Sequence, residues 1–214
     1  MIQLTRSGTV FSGSTEDLES LREQFDRHHC IRLPQLLEPG ILKVIQERID
    51  QTEFVERAHE GAGVELCMTE NISAGLLHFL TNTPTLFRII EHVTGCGQIG
   101  CFTGRVYRTT PGLGHYDVWH TDMMQDRMVG LSINLSTDVF SGGIFQLRKR
   151  KWKWIVYQVA NTGFGDGILF RIVDHLEHRI TTMKGAVPKT AFAGWFRSQP
   201  DFLSSLRATP TKEG

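Results

Sequence analysis

His120-Thr121-Asp122 sets an imidazole and a carboxylate two residues apart. On an extended strand, residues i and i+2 project to one face, so both side chains can reach the same ion. One more histidine would complete a two-histidine, one-carboxylate facial set, the donor arrangement suited to non-haem iron(II). A second pair of the same spacing, His115-Tyr116-Asp117, stands five residues earlier. It follows Pro111-Gly112-Leu113-Gly114, where a turn is still under way, whereas His120 and Asp122 close a strand and open onto the polar stretch 123–127. A metal pair at a strand end beside a loop is the better site geometry, which leaves His115 structural or close to a substrate. Two histidines can supply the third ligand. His175 follows Asp174 at a strand end and belongs to a turn, and His178 opens the strand that continues through Arg179–Met183.

The elements that must position these groups change character along the chain. Thr15-Glu16-Asp17 has the acidic character of a helix start, and Leu18, Leu21 and Phe25 continue at helical spacing. Adjacent His28 and His29 face different directions on a helix and read as surface or turn residues. Residues 30–33 form a short strand-like run limited by Pro34. A second helix carries Leu42, Ile45 and Ile49, and a third helical stretch over 71–95, interrupted at Pro84, buries Leu86, Ile89, Ile90 and Val93. Residues 1–14, polar and Gly/Ser-rich, are expected to be poorly ordered. From residue 98 short β-type runs bounded by glycine and proline take over, at 98–109, 114–120, 128–136, 143–148, 152–160, 166–172, 177–183 and 190–196. The expectation is an α+β chain of one domain, 1–214. Helical support over about 15–95 buttresses one sheet of a double-stranded β-helix over about 98–197. Lys189 follows His178 by eleven residues, and a hairpin through Lys184-Gly185-Ala186-Val187 would put this cation on the strand beside His178.

Composition bounds the partners. Lysine plus arginine, 23, equals aspartate plus glutamate, 23, so there is no global attraction to nucleic acid or an anionic membrane, although a local patch remains open. No run of 18 apolar residues exists, so no transmembrane segment is expected. The four cysteines form no CxxC pair and read as reduced thiols, and the start of the chain lacks a secretory apolar region. A cytoplasmic protein is the expectation.

With these residues in view, the sequence resembles the iron(II)/2-oxoglutarate-dependent dioxygenase superfamily, in its prolyl-hydroxylase-like and phytanoyl-hydroxylase-like branches. The resemblance runs through most of the chain: the helix after Leu33–Leu37, His120-Thr121-Asp122, Leu131–Ser136, Gly142–Arg148, Gly165–Phe170, His178-Arg179-Ile180 and Lys189–Phe196. It implies a jelly-roll, cupin-like core and a metal triad of His120, Asp122 and His178, preferred to His175 because Lys189 then falls at the family's cosubstrate offset. It also implies Fe(II), 2-oxoglutarate and dioxygen as cofactor and cosubstrates. Lys189 would bind the far carboxylate of 2-oxoglutarate with Tyr107 facing the cosubstrate. Lysine offers a point charge rather than a fork, so a hydroxyl partner is expected, and Thr190 should alternate to the other face. The implied reaction is hydroxylation of an aliphatic C–H in a small molecule or an amino-acid residue, with release of succinate and CO2. Related halogenases lack the carboxylate that Asp122 supplies.

Other residues are read more plainly. Trp119 and Trp195 are core aromatics in preference to a substrate wall. The basic run Arg148–Trp154 reads as a solvated hairpin, with Trp152 and Trp154 packed inward and Lys151 and Lys153 facing water. The arginine-rich motif of nucleic-acid dealkylases does not follow His178, which argues against a nucleic-acid substrate. Segments 55–82, 108–118 and 123–128 should surround the substrate. Two other classes share the donor set: a non-catalytic cupin-like protein binding a metal or small molecule, and a zinc hydrolase using an activated water.

Overall fold

Helix formation follows the sequence signals closely. In this computed structural model, which describes residues 1–59, 63–69, 72–124, 126–160 and 162–199, helix α1 spans Thr15–His28. Ser14 and Asp17 form a reciprocal capping box that satisfies orphan amides at its start. It stops at His29, which takes the left-handed conformation, φ 58°. Helix α2, Pro39–Ile49, begins with proline in its first turn and buries Leu42, Ile45 and Ile49. The third helical stretch is two helices, α3 (Ile72–Thr81) and α4 (Pro84–Thr94). Thr83 caps α4, Gly95 ends it, and Leu86, Ile89, Ile90 and Val93 are buried as their spacing requires.

Two hairpins in the first half depart from expectation. Residues 1–14, expected to be poorly ordered, form β1 (Ile2–Thr5) and β2 (Gly8–Phe11). Ile2 and Leu4 are buried, and Leu4 exchanges backbone hydrogen bonds with Leu36 and Glu38. The short apolar alternation wins over the Gly/Ser content because it has a core to join. After β3 (Cys30–Leu33), a second hairpin of β4 (Phe54–His59) and β5 (Gly63–Met68) precedes α3.

The β-rich half matches the expected spans to within a few residues. It contains β6 (Cys101–Thr109), β7 (Tyr116–Asp117), β8 (Arg127–Asn134), β9 (Ser141–Gly142) and β10 (Phe145–Lys149). β11 (Ile155–Val159), β12 (Gly167–Arg171), β13 (Leu176–Ile180), β14 (Met183–Lys184) and β15 (Lys189–Arg197) follow. The larger antiparallel sheet has the order β3-β12-β8-β15-β6-β5-β4, with β7 joined to β5, and the smaller has the order β11-β10-β13. This is a double-stranded β-helix with helices on its larger sheet. β13 and β15 are therefore not a hairpin pair: β13 pairs with β10, and β15 with β6 and β8. The intervening residues carry the chain from one sheet to the other, so Lys189 and His178 belong to different sheets.

Period-2 alternation makes β15 a wall between two compartments. Phe192 and Phe196 are fully buried in the cluster that holds Ile45, Leu77, Leu86 and Ile90 of the helices. Lys189, Ala191, Ala193 and Trp195 line the opposite side, a cavity of about 550 Å³. Phe145, Leu147, Ile168 and Phe170 form a second cluster between the sheets. Phe192→Ala should lower the unfolding free energy by about 3–5 kcal/mol, measured by urea denaturation; a loss under 1 kcal/mol would mean this wall is not closely packed.

Candidate active site

Two backbone hydrogen bonds create the site. His120 N–H donates to the His178 carbonyl at 3.1 Å, and His178 N–H donates to the His120 carbonyl at 2.9 Å. This antiparallel bridge adds the 120 segment to β13 and sets the two imidazoles side by side, with ring centroids 4.4 Å apart. Asp122 closes the group. Its Oδ2 lies 3.3 Å from His178 Nε2, and its Oδ1 lies 3.9 Å from His120 Nε2. One ligand atom from each residue falls within 4.8 Å of the others, so the three could hold one metal ion.

Each of these side chains is oriented by a further contact. His120 Nδ1 faces the Val118 carbonyl at 2.8 Å and Asp117 Oδ1 at 3.1 Å, which turns Nε2 inward. Burial alone would lower the His120 pKa, but the hydrogen bond and charge of Asp117, with the Val118 carbonyl and Asp122, raise it to about 9. Asp117 Oδ2 also accepts the Ile180 N–H at 2.5 Å, so one carboxylate ties the 120 segment to β13. The Trp195 indole donates to Asp122 Oδ2 at 2.7 Å, and Arg127 Nη1 lies 3.5 Å from Oδ1 while stacking on the Trp195 ring. Burial would raise the Asp122 carboxyl, but His178, Trp195 and His120 outweigh it and hold the group at about 2.

Lys189 enters from the opposite sheet. It is 5% exposed, and its Nζ donates to the Gly143 carbonyl at 2.8 Å. Among the described residues no carboxylate lies within ion-pair distance, and burial lowers its pKa to about 8 against the weaker pull of Asp117 and Glu65. Tyr107 lines the same cavity, its phenol pushed up by burial. Thr190 faces away, as alternation requires, and its hydroxyl accepts from Arg108 Nε at 3.1 Å. Polar donors at both ends of one cavity can thus hold a cation at the triad and an anionic group at Lys189.

The competing residues fall elsewhere. His115 accepts the Thr110 N–H at Nδ1, 2.9 Å, in the structural role expected of it, while its ring still borders the cavity. His175 is exposed in a turn. Trp195 is a wall of the cavity, whereas Trp119 lies outside it, with the guanidinium groups of Arg148 and Arg179 over its ring at 4.1 and 4.5 Å. Trp152 and Trp154 do not pack inward but are 55% and 71% exposed. Of the segments expected around a substrate, residues 63–65, 109, 115–117, 123–124 and 127 line the cavity; α3 does not.

No family model matches the sequence, and no curated protein is recognisably similar to it. Solved structures are. A prolyl-4-hydroxylase of Pseudomonas putida superposes with TM-score 0.65 at 16% identity, covering 85% of this chain and 99% of that one. The 2OG-Fe(II) oxygenase family is represented by an oxidoreductase of Burkholderia pseudomallei, with TM-score 0.62, 15% identity and coverage of 88% and 94%. The chain has the fold of the 2OG-Fe(II) oxygenases. A third such structure is the epimerase SnoN from nogalamycin biosynthesis, in complex with Fe3+, alpha ketoglutarate and nogalamycin RO. It gives TM-score 0.63, 12% identity and coverage of 94% and 93%.

The cavity brings together His120, Asp122 and His178 with Lys189 and Tyr107, the residues the sequence and its family resemblance singled out, and adds Asp117 and Arg127, which neither did. Asp117 stood in the rejected His115 pair, and its value lies in a pairing with β13 that spacing does not show. Asp117→Ala should weaken Fe(II) or Co(II) binding about 10–100-fold, whereas His115→Ala should leave it within experimental error. Anaerobic titration calorimetry distinguishes the two, and equal losses would remove the distinction between the pairs.

Proposed function

We propose that this protein is an iron(II)- and 2-oxoglutarate-dependent dioxygenase that hydroxylates an aliphatic C–H of a small molecule or of an amino-acid residue. The observation that carries the reading is a conjunction: a His120–Asp122–His178 donor set and a buried ammonium, Lys189, facing one cavity on the fold these oxygenases use. Two imidazoles and one carboxylate on one face suit iron(II) and leave positions for exogenous ligands. Bound there with its cosubstrates, the metal would supply oxidative decarboxylation of 2-oxoglutarate to succinate and CO2, coupled to C–H oxidation.

The chain's own residues perform the positioning. Lys189 would meet the distal carboxylate of 2-oxoglutarate, trading its isolation from carboxylates for an ion pair in a low-dielectric pocket. Tyr107 borders the same space and offers a hydroxyl. Ala191 and Ala193, between Lys189 and Trp195 on one strand face, leave room for a small dicarboxylic acid. Trp195 and Arg127 keep Asp122 ionised and oriented toward the two imidazoles, where it would meet a metal, while Asp117 and the Val118 carbonyl keep His120 Nε2 directed inward. We take residues 1–214 as one oxygenase domain in which the helices stiffen the sheet carrying Lys189. The cysteines among the described residues are free thiols, in keeping with a reducing, cytoplasmic setting. Among the structural relatives, a Trichoplax adhaerens prolyl hydroxylase is in complex with a hypoxia inducible factor peptide fragment, with TM-score 0.59, 14% identity and coverage of 87% and 94%. With the SnoN complex, it supports leaving both peptidyl and small-molecule substrates open.

The decisive assay is succinate release from 2-oxoglutarate, which should require Fe(II) and dioxygen and fall to background in Asp122→Ala. Iron binding without succinate release would instead favour a non-catalytic metal-binding protein, and turnover surviving strict anaerobiosis would favour hydrolysis.

Lys189 adds a pH signature. Only the charged ammonium binds a carboxylate, and burial has lowered its pKa to about 8. Affinity for 2-oxoglutarate should therefore be flat below that pH and weaken above it, by up to about tenfold per pH unit. In Lys189→Arg the decline should vanish, because arginine stays charged throughout. An identical pH profile for both proteins would remove Lys189 from the cosubstrate site.

A further inference from the structure

The run Arg148-Lys149-Arg150-Lys151-Trp152-Lys153-Trp154 consists only of basic residues and tryptophan, in a chain whose basic and acidic residues balance only when this run is included. It forms the end of β10 and the tight turn into β11. Lys149 N–H donates to the Trp154 carbonyl at 2.9 Å, Lys153 N–H donates to the Lys149 carbonyl at 2.8 Å, and Lys153 is left-handed at φ 60°. The tip is thus held in shape, yet every residue from 150 to 155 is exposed, including both indoles and Ile155. Exposing two tryptophans and an isoleucine to water is unfavourable without a partner.

The cations are arranged in two sets. Glu177, buried at the base, takes Arg148 at 2.7 Å, Arg150 at 3.5 Å and Lys153 at 3.6 Å. Lys149 and Lys151 instead reach over the Trp152 ring, 5.7 and 5.5 Å from its centroid, and neither meets a carboxylate among the described residues. Asp174, exposed in the neighbouring turn, is the nearby counter-charge. The tip remains net positive and carries its apolar groups on the same projection.

Strand register fixes where this tip points. Along β10 and β13, Phe145 pairs with Ile180, Leu147 with His178 and Lys149 with Leu176, and Arg150 N–H donates to the His175 carbonyl. Because His120 bridges His178 antiparallel, the chain beyond Asp122 runs toward that same end. There Met123 and Met124 line the cavity while being 49% and 56% exposed. The apolar rim of the cavity and the basic indole tip therefore lie at one end of the smaller sheet, away from buried Lys189 and its partner Gly143.

We propose that this end of the molecule docks on an anionic lipid surface, with Trp152, Trp154 and Ile155 in the headgroup interface and Lys149 and Lys151 on acidic headgroups. Indoles prefer the membrane–water interface, and lysines with them supply the second, electrostatic signal that reversible anchoring needs. A single-stranded nucleic acid would also use cations and aromatics, but it is tracked by a groove, and these residues form a projecting tip. Surface docking is compatible with the described helices, none of which is long and apolar enough to cross a membrane. The proposal goes beyond the oxygenase reading and does not depend on it, since the binding needs neither iron nor 2-oxoglutarate.

Flotation of the full chain with vesicles tests it. Vesicles of phosphatidylcholine and phosphatidylserine should carry the protein upward, phosphatidylcholine alone should not, and molar salt should release it. Trp152→Ser/Trp154→Ser and Lys149→Glu/Lys151→Glu should each weaken binding by about tenfold or more, with melting temperatures confirming that both remain folded. Brominated phosphatidylcholine in the mixed vesicles should quench wild-type tryptophan emission, a readout that needs no variant. Wild-type protein left unfloated by the acidic vesicles, emission unquenched on them, or tighter binding to an oligothymidylate than to them would each overturn the proposal.

Discussion

The pair of backbone hydrogen bonds between His120 and His178 is the constraint on which the rest of the site depends. Residues far apart in the chain become cross-strand partners, and their imidazoles meet because side chains opposite each other in an antiparallel pair share a face. A slip of one residue would send one of the rings to the outer surface of the sheet. Asp117 guards that register by binding both His120 Nδ1 and the Ile180 amide, so a single carboxylate ties the two strands together just beyond the bridge.

The electrostatics of the cavity divide between a crowded end and a sparse one. At the crowded end Asp122 is surrounded by His120, His178, Arg127 and the Trp195 indole, all of which favour its ionised form. At the sparse end Lys189 has a backbone carbonyl and the Phe140 ring 5.6 Å away, and burial penalises its charge. A buried ammonium in that state is costly to keep, and an incoming carboxylate relieves the cost. Under the proposed function, this asymmetry would orient a dianionic cosubstrate with one end toward the triad and the other toward Lys189.

Much of this was legible in the sequence because the signals are local. The helix start at Thr15-Glu16-Asp17, the apolar stripes of α2 and α4, and the spans of the short β runs after residue 98 are fixed by neighbours along the chain. The glycine turn before His115 also pointed to the later pair, and in the fold it is His120 and Asp122 that group with His178, while His115 accepts the Thr110 amide. What sequence did not show depends on distant partners. The β1–β2 hairpin looks too polar until Leu4 is seen against Leu36, and Lys189 looks like a hairpin neighbour of His178 until β15 is found in the opposite sheet. Trp119 and Trp195 are indistinguishable in one dimension, yet one stacks with two guanidinium groups outside and the other holds Asp122 inside. The inward packing expected of Trp152 and Trp154 failed because the turn at Lys153 leaves them at the tip, with no sheet face to cover.

The double duty of β15 has a consequence for how this molecule can change. Its cavity-facing residues alternate with phenylalanines that hold the helices, so an alteration on one side of the strand is transmitted to the other by the rigidity of a close-packed wall. New substrate preferences would therefore arise more readily from the cavity-lining residues 63–65 and 123–124, which lie outside that wall. The fold thus separates a conservative partition, where chemistry and stability are coupled, from a permissive rim where selection can explore.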